Sequence, residues 1–322
     1  MSKRTIKWLI TGVCLLVIGG ILFGGAMAML QWDFSKLSTS QFETKTHKIN
    51  ESFRSISVDT DTAAISLVPS AEASCLVVCR EPQKVTHTVS VKDGALVIQV
   101  NDTRKWYEHI GFSFESMTIT VYIPAGEYGA LTVRSHTGDI EIAKDFRFDS
   151  IDIRNHTGRV RDYASATHDV TIQTTTGSID VEGISVGSLA LSVSTGKVTA
   201  SDVICEGDLS VEVTTGKAAL SDVSCRNLIS EGSTGDVVLS DVIAEEGLSL
   251  KRSTGDIRLN HCDAAEIAIK TSTGDVKGGL LSGKMFFAQS ETGRVRVPSS
   301  ATGGRCEITT DTGDIDIEII DR

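Results

Sequence analysis

Proline, aromatic side chains and basic charge are scarce in this chain of 322 residues. It has 4 prolines and 5% aromatic residues, and its 31 Lys and Arg are outnumbered by 42 Asp and Glu, giving a net charge of −11. The acidic balance argues against a nucleic-acid partner, because phosphate backbones attract clustered Lys and Arg. Few aromatics and 29 glycines favour narrow, repetitive packing over a bulky core, while 40% hydrophobic residues are too many for a disordered chain.

The chain also lacks the short motifs of common enzymes. It has no Gly-x-Ser-x-Gly, no His-Glu-x-x-His and no phosphate-binding loop, since Thr-Gly-Lys at 195–197 and 215–217 has no upstream glycine frame. We therefore predict no catalytic residue, no cofactor and no enzymatic activity. A carbohydrate-active β-helix enzyme is the alternative of this class, and it would use Arg134 and Arg154 or a stripe of aspartates.

Only one long hydrophobic run is present, 23 uncharged residues at 8–30. That length spans a bilayer as a helix. Lys3, Arg4 and Lys7 precede it, which predicts a cytoplasmic N-terminus and an extracytoplasmic bulk. We interpret 1–30 as a short tail and a transmembrane anchor. A cleaved signal peptide is the alternative, because Ala26-Met27-Ala28 offers a cleavage site.

A Thr-Gly pair recurs along most of the chain at intervals of 19 or 20 residues. Apolar residues recur seven and five positions before each glycine and two after it, with polar residues between them, as in Leu189, Leu191 and Val198 around Gly196. This alternation predicts short strands flanking each turn. The ten turn glycines are Gly138, Gly158, Gly177, Gly196, Gly216, Gly235, Gly255, Gly274, Gly293 and Gly313.

A unit this short cannot bury its apolar face alone, so the constant period predicts parallel stacking into a β-solenoid over 131–322. Each turn glycine is expected to adopt a positive φ. An antiparallel meander of hairpins is the alternative, since Thr-Gly-Asp also suits a hairpin turn.

The region before the repeats divides into two parts. Residues 31–50 are polar and predict a juxtamembrane linker, and 51–130 predict a β-rich cap that includes a degenerate repeat at Thr62-Ala63-Ala64-Ile65. The strands predicted in the cap are 53–58, 64–68, 76–78, 85–91, 96–100 and 117–123.

The order of these features resembles a known bacterial family. An opening strand with Phe53, Ile56 and Val58, a step through Asp93-Gly94 with Leu96 and Ile98, a strand ending at Pro124, and then Thr-Gly-Asp repeats are similar to the putative-adhesin β-strand-repeat family, also called toastrack. The resemblance covers about residues 50–322. It implies a surface-exposed, solenoid-like domain on a membrane anchor, with adhesion or envelope-stress signalling in some members and no catalytic residues to transfer.

Two sets of polar residues fall on equivalent positions of successive units. His136 and His156 are expected to stack within ~5 Å, either as a weak transition-metal or pH-sensitive pair or as plain turn residues. The second set lies six residues after the turn glycine and is either a Ca²⁺ or cationic-peptide stripe or a series of turn residues; it comprises Asp202, Asp222 and Asp241, continued by His261.

Cysteines and the C-terminus complete the candidates. Cys205 and Cys225 share a position in adjacent units, so they are expected to form a disulfide or to lie as two small core residues. Cys75 and Cys79 are too far apart on one strand to pair, and no Cys/His spacing is typical of zinc. The last unit has no obvious cap, and its edge is expected either to dock another chain or to be guarded by its alternating acids.

These patterns lead to a functional hypothesis. We expect a single-pass cell-membrane protein whose extracytoplasmic repeats act as an adhesin-like or scaffold module at the bacterial envelope, binding a glycan, a peptide or an envelope protein. The alternative is a sensory module of an envelope-stress response. Because the predicted cytoplasmic tail has seven residues, that role needs a membrane partner.

Overall fold

A computed structural model describes residues 3–33, 41–105, 115–299 and 302–320. It has one apolar helix, α1 (Lys3–Met29), followed by a single large sheet of strands. The segment Arg4–Met29 is long and apolar enough to cross a membrane and lies near the N-terminus, as a signal sequence also would.

The strands run continuously through most of the chain. They are β1 (Phe42–Ile49), β2 (Ser55–Thr62), β3 (Ala64–Ser70), β4 (Cys75–Pro82), β5 (Val85–Lys92), β6 (Ala95–Asp102), β7 (Thr118–Pro124), β8 (Gly126–Thr137), β9 (Ile140–Ile142), β10 (Phe146–Asp162), β11 (Ser165–Ala166), β12 (Asp169–Val186), β13 (Ser188–Cys205), β14 (Asp208–Thr234), β15 (Val237–Thr254), β16 (Ile257–Thr273), β17 (Val276–Leu280), β18 (Lys284–Thr292), β19 (Val295–Arg296), β20 (Gly304–Thr312) and β21 (Ile315–Ile319).

The repeats stack in parallel as a β-solenoid, which rules out the hairpin meander. In β10, β12, β13 and β14 the turn glycines pair directly, Gly158 with Gly177, Gly177 with Gly196 and Gly196 with Gly216. Parallel pairing leaves every apolar position of a unit beside the same position of its neighbours. The predicted inward positions around Gly196 are accordingly at most 1% exposed: Leu189, Leu191 and Val198.

Close contact between units explains why each turn needs glycine. The φ angles of the ten turn glycines lie between 121° and 159°. A Cβ atom added at any of them would lie 1.6–2.2 Å from a backbone carbonyl oxygen of the neighbouring unit. The predicted positive φ is confirmed, and the tight approach adds a second reason for glycine.

Side chains beside the turn bond neighbouring units together. The Asp139 carboxylate accepts the Arg159 backbone N–H, and the Asp256 carboxylate accepts the Asp275 backbone N–H in the same way. Three residues before the glycine, the hydroxyls of Thr271 and Thr310 donate to the carbonyls of Gly255 and Gly274. The Asp that follows the turn glycine and the Thr three residues before that glycine are therefore explained by bonds between units.

The two ends of the solenoid depart from sequence order. At the N-terminal end β2 pairs with both β6 and β8, and β3 pairs with both β7 and β9, so the first unit lies inside the stack. At the C-terminal end β20 lies between β16 and β18, and β21 lies between β17 and β19. The expectation of an open edge at the last unit is therefore wrong. The outermost unit is β18–β19, where Phe286 and Ala288 are half-buried and Val295 is exposed.

In the region before the repeats the predicted strands are present, but the predicted linker contains a strand. Strands β2 to β7 overlap the six predicted strands, and the degenerate repeat is confirmed because Thr62 pairs with Thr137 and Ile65 with Ile140. Within 31–50, however, β1 pairs antiparallel with β4 along its whole length. Its inward positions carry Lys45 and His47, so the hydrophobic alternation of a strand is missing from the sequence.

Candidate functional site: a groove across the units

A surface groove crosses five units on the outer face of the strands that precede the turns. Its volume is about 390 Å³. Ile229, Ser249, Ala268 and Glu307 follow each other along its floor, because β14, β15, β16 and β20 place them on one paired row. A second row of polar residues runs along its rim: Asp208, Asn227, Glu266 and Arg305.

The rim is organised by hydrogen bonds between units. The Asn227 amide donates to Asp208 at 3.0 Å, and Arg226 forms an ion pair with the same carboxylate at 3.1 Å. These donors lower the pKa of Asp208, the Asn227 bond contributing most. At the far end Arg305 pairs with Glu307 and lies 5.1 Å from the ring centre of Phe287.

The groove therefore offers carboxylate, amide and guanidinium groups at the regular spacing of neighbouring strands, with an apolar floor at Ile229. Sequence reasoning did not single out these residues. The signal in the sequence was the type of residue at the outward positions eight and six residues before each glycine. Most units have small residues six positions before the glycine, whereas Ile229, Phe287 and Glu307 are large.

The predicted aspartate stripe lines a separate groove of about 320 Å³. Asp202, Asp222 and Asp241 have φ of 52–53°, and His261 continues the series at 54°. Asp is among the few residues other than glycine that adopt this left-handed conformation readily. Backbone geometry at the corner of each unit thus explains the recurrence, and the cation-binding interpretation stays a prediction.

The predicted histidine pair is stacked on the surface. The rings of His136 and His156 have centroids 4.8 Å apart and planes 13° apart, and Asp61 lies 3.5 Å from His136 Nδ1. Among the described residues these side chains do not form a three-ligand metal cluster. Arg134 and Arg154 both lie within ion-pair distance of Asp152 on the same exposed surface.

All six cysteines beyond α1 are buried. Cys205 and Cys225 come directly after Ile204 and Ser224, the last residues that pair between β13 and β14. The disulfide between them stays a prediction. Burial raises the pKa of Cys225 to about 12, with a smaller contribution from the neighbouring Cys205. Thiols held protonated in this way are poor nucleophiles, which makes a cysteine-based active site in the repeats chemically unfavourable.

Asp162 and Arg252 are among the ionisable side chains that are buried in the described part of the chain. Asp162 is fully buried among apolar positions, and burial raises its pKa to about 7 although the Ala164 backbone N–H donates to it. Arg252 extends under Gly232 and donates to the Ser230 hydroxyl and to the Lys251 carbonyl. The Arg252 contact explains why Ser230 interrupts a row of Leu, Ile and Val.

The chain is similar to several solved structures of bacterial proteins at low sequence identity. Among solved structures, a protein described as a putative adhesin from Bacteroides fragilis aligns at 15% identity over 88% of this chain and 99% of its own, with a TM-score of 0.42. Another, from Parabacteroides distasonis, aligns at 11% identity over 88% and 98%, with a TM-score of 0.44. A putative lipid binding protein from Parabacteroides distasonis aligns at 14% identity over 73% and 94%, with a TM-score of 0.41.

Among curated proteins, none matches the chain. A family model does match, in two stretches that together include the N-terminal cap and all the repeats. The stretches are residues 53–207 and 204–322, and the model is that of Toastrack, DUF4097. With its parallel units, its degenerate first repeat and its Thr-Gly turns, the chain belongs to the Toastrack family.

Proposed function

We propose that the chain is a membrane-anchored, non-catalytic, adhesin-like module that lies outside the cytoplasm at the bacterial envelope and binds an extended polymer along the groove across the units. The observation that supports this most is the direction of the groove, which follows the stacking axis from Asp208 to Arg305. Polar groups therefore recur about every 4.8 Å along it. A repeating ligand makes many weak contacts on such a surface, and these combine into useful affinity.

Membrane anchoring rests on α1, whose uncharged run begins after Lys3, Arg4 and Lys7. The positive flank favours a cytoplasmic N-terminus, which places the solenoid outside. A retained anchor holds the groove near the membrane surface, where wall polymers, glycans and envelope peptides are within reach.

The proposal is tested by crosslinking in living cells with the full-length protein. A photoreactive residue replaces Ala268 in the groove, and the matched control replaces Ala190, which lies on the same paired row upstream of the groove. We expect glycan or peptide adducts from position 268 only, and their loss when Ser249→Arg fills the groove.

Two other outcomes contradict the adhesin-like proposal. A reproducible membrane protein captured instead of a polymer makes the chain a regulatory module of that partner. Equal adducts from both positions, unaffected by Ser249→Arg, show that the groove binds nothing selectively.

A further inference from the structure

A buried cluster of three different metal-ligand types lies in the N-terminal cap, away from the groove. Cys79 and Glu81 alternate on the inward face of β4, and His87 reaches them from β5. The three residues are at most 4% exposed. A thiol sulfur, a carboxylate oxygen and an imidazole nitrogen lie within 4.8 Å of one another.

The surroundings orient the imidazole and the carboxylate. His87 Nδ1 lies 2.7 Å from Glu81 Oε2, which also accepts the His87 backbone N–H at 2.7 Å. His87 Nε2 lies 2.9 Å from the buried Thr60 hydroxyl. Glu81 Oε1 is 3.0 Å from Lys45 Nζ, but none of the described residues offers it an aligned hydrogen-bond donor. A histidine whose second nitrogen is held by a hydrogen bond is typical of metal sites.

We propose that Cys79, Glu81 and His87 form a Zn²⁺ site that binds β4 and β5 together. Sulfur, imidazole nitrogen and carboxylate oxygen are the ligands that zinc takes in proteins, and three of them leave one tetrahedral position open. On binding, the Cys79 thiol proton passes to solvent, and the proton on His87 Nδ1 is replaced by one on Nε2, so the imidazole stays neutral. The metal then takes the place of the thiol proton and of the Nδ1 proton, and His87 Nε2–H donates to the Thr60 hydroxyl.

His47 is the candidate for the fourth position. It lies on the inward face of β1, paired with Val77, while Lys45 pairs with Cys79 on the same face. His47 is therefore a diagonal neighbour of Cys79, within reach of a long side chain. Its Nε2 atom is buried and has no hydrogen-bond partner among the described residues.

A thiol and a carboxylate are buried side by side in this cluster. Burial and the nearby Glu81 raise the pKa of the Cys79 thiol, whereas Lys45 lowers it. A divalent ion compensates both anionic ligands, which is how buried charges are tolerated in proteins.

The test uses the full-length protein, without a histidine tag, in detergent. Co²⁺ is added alone and the near-ultraviolet absorption of cobalt–thiolate charge transfer is recorded, followed by displacement with Zn²⁺. We expect one metal per chain, a band that zinc abolishes, and higher thermal stability with zinc. Cys79→Ser and His87→Gln are expected to lose the band.

Matched controls separate this cluster from the rest of the chain. Cys225→Ser removes another buried thiol, and His136→Gln with His156→Gln removes the two stacked imidazoles on the surface; all are expected to keep the band. Thr60→Val is expected to fold and to bind zinc about 10- to 100-fold more weakly, because it loses the contact that orients His87. Absence of the band in the wild-type protein, or its persistence in Cys79→Ser, overturns the proposal.

Discussion

At the scale of the residue, most unusual side chains in the repeats are explained by backbone geometry. The turn glycines approach the neighbouring carbonyl too closely for any side chain, whereas Asp202, Asp222 and Asp241 occupy left-handed corners that face solvent. Glycine is thus required at the Thr-Gly turn, whereas Asp can take its place at the left-handed corner. The difference lies in the free space around the Cβ position.

Gly196→Ala is expected to destabilise the protein by roughly 2–4 kcal/mol, because its Cβ would lie 1.6 Å from the Gly177 carbonyl oxygen. The control is Gly183→Asp. Gly183 has φ of 68° with nothing within 4 Å of a Cβ, and its corner position matches that of Asp202. Urea unfolding measures both variants, and a similar loss in both would contradict the space argument.

Asp162 predicts a specific pH dependence of stability. Its pKa is about 7 in the folded protein and near 3.8 when exposed, so the folded state holds the proton more tightly. The stabilisation is complete below about pH 4 and is lost as the pH rises to 7, a change on the order of 3–4 kcal/mol.

Asp162→Asn keeps the shape of the side chain and removes its titration. We expect the variant to be more stable than the wild type at pH 8 and similar to it at pH 4. Chemical denaturation at both values provides the comparison. A wild-type-minus-variant difference that does not change with pH would show that Asp162 ionises as readily folded as unfolded.

At the scale of the element, the order of strands at the two ends is the feature that needs a direct test. Strand β20 is paired on both sides although it is near the end of the chain, and β18 is the edge. Edge amides exchange with solvent more readily than amides in a central ladder. Hydrogen exchange followed by mass spectrometry is therefore expected to show slower exchange in Gly304–Thr312 than in Lys284–Thr292. The reverse order would support simple stacking in sequence order.

The fold of the middle of the molecule could be predicted from the sequence, because each unit has apolar residues at the same positions. At one such position Leu189 pairs with Leu209 and Leu228 pairs with Leu248, and all four are buried. The ends could not be predicted from the period, because Gly293 and Gly313 both follow the same Thr-Gly rule. The signal that remained was composition: the outer unit has Phe286 and Ala288 where the inserted unit has Cys306 and Ile308.

Candidate sites were harder to predict than the fold. The histidine stack follows directly from the period, since equivalent positions of adjacent units must lie near 4.8 Å. The cluster of Cys79, Glu81 and His87 depends on pairings among non-repeating strands of the cap. Nothing in the local sequence specifies that β5 brings His87 to the inward face of β4.

At the scale of the whole molecule, we expect the units in the middle of the solenoid to make additive contributions to stability. Deleting residues 178–196 joins Gly177 to Lys197, which is equivalent to the native Gly196–Lys197 junction. The shortened chain is expected to fold with the same strand signal in circular dichroism and a modestly lower urea midpoint, because each unit contacts only its neighbours.

A deletion of half a unit is the matched control. Removing residues 187–196 joins Val186 to Lys197, so the strand after the join no longer meets the equivalent positions of the neighbouring unit. We expect it to abolish cooperative unfolding. Equal tolerance of both deletions would show that the register between units does not hold the molecule together.

The placement of the first unit inside the stack has a mechanical consequence. If α1 is the membrane anchor that we propose, a load between it and a ligand held by the solenoid reaches β1 and then β2 along the chain. Peeling an outermost unit breaks a single ladder, but extracting β2 and β3 breaks their ladders to β6 and β7 and to β8 and β9 together. The doubly paired first unit therefore resists tension that is applied through the helix. A protein that tethers a cell surface to something outside it would carry its load through this unit.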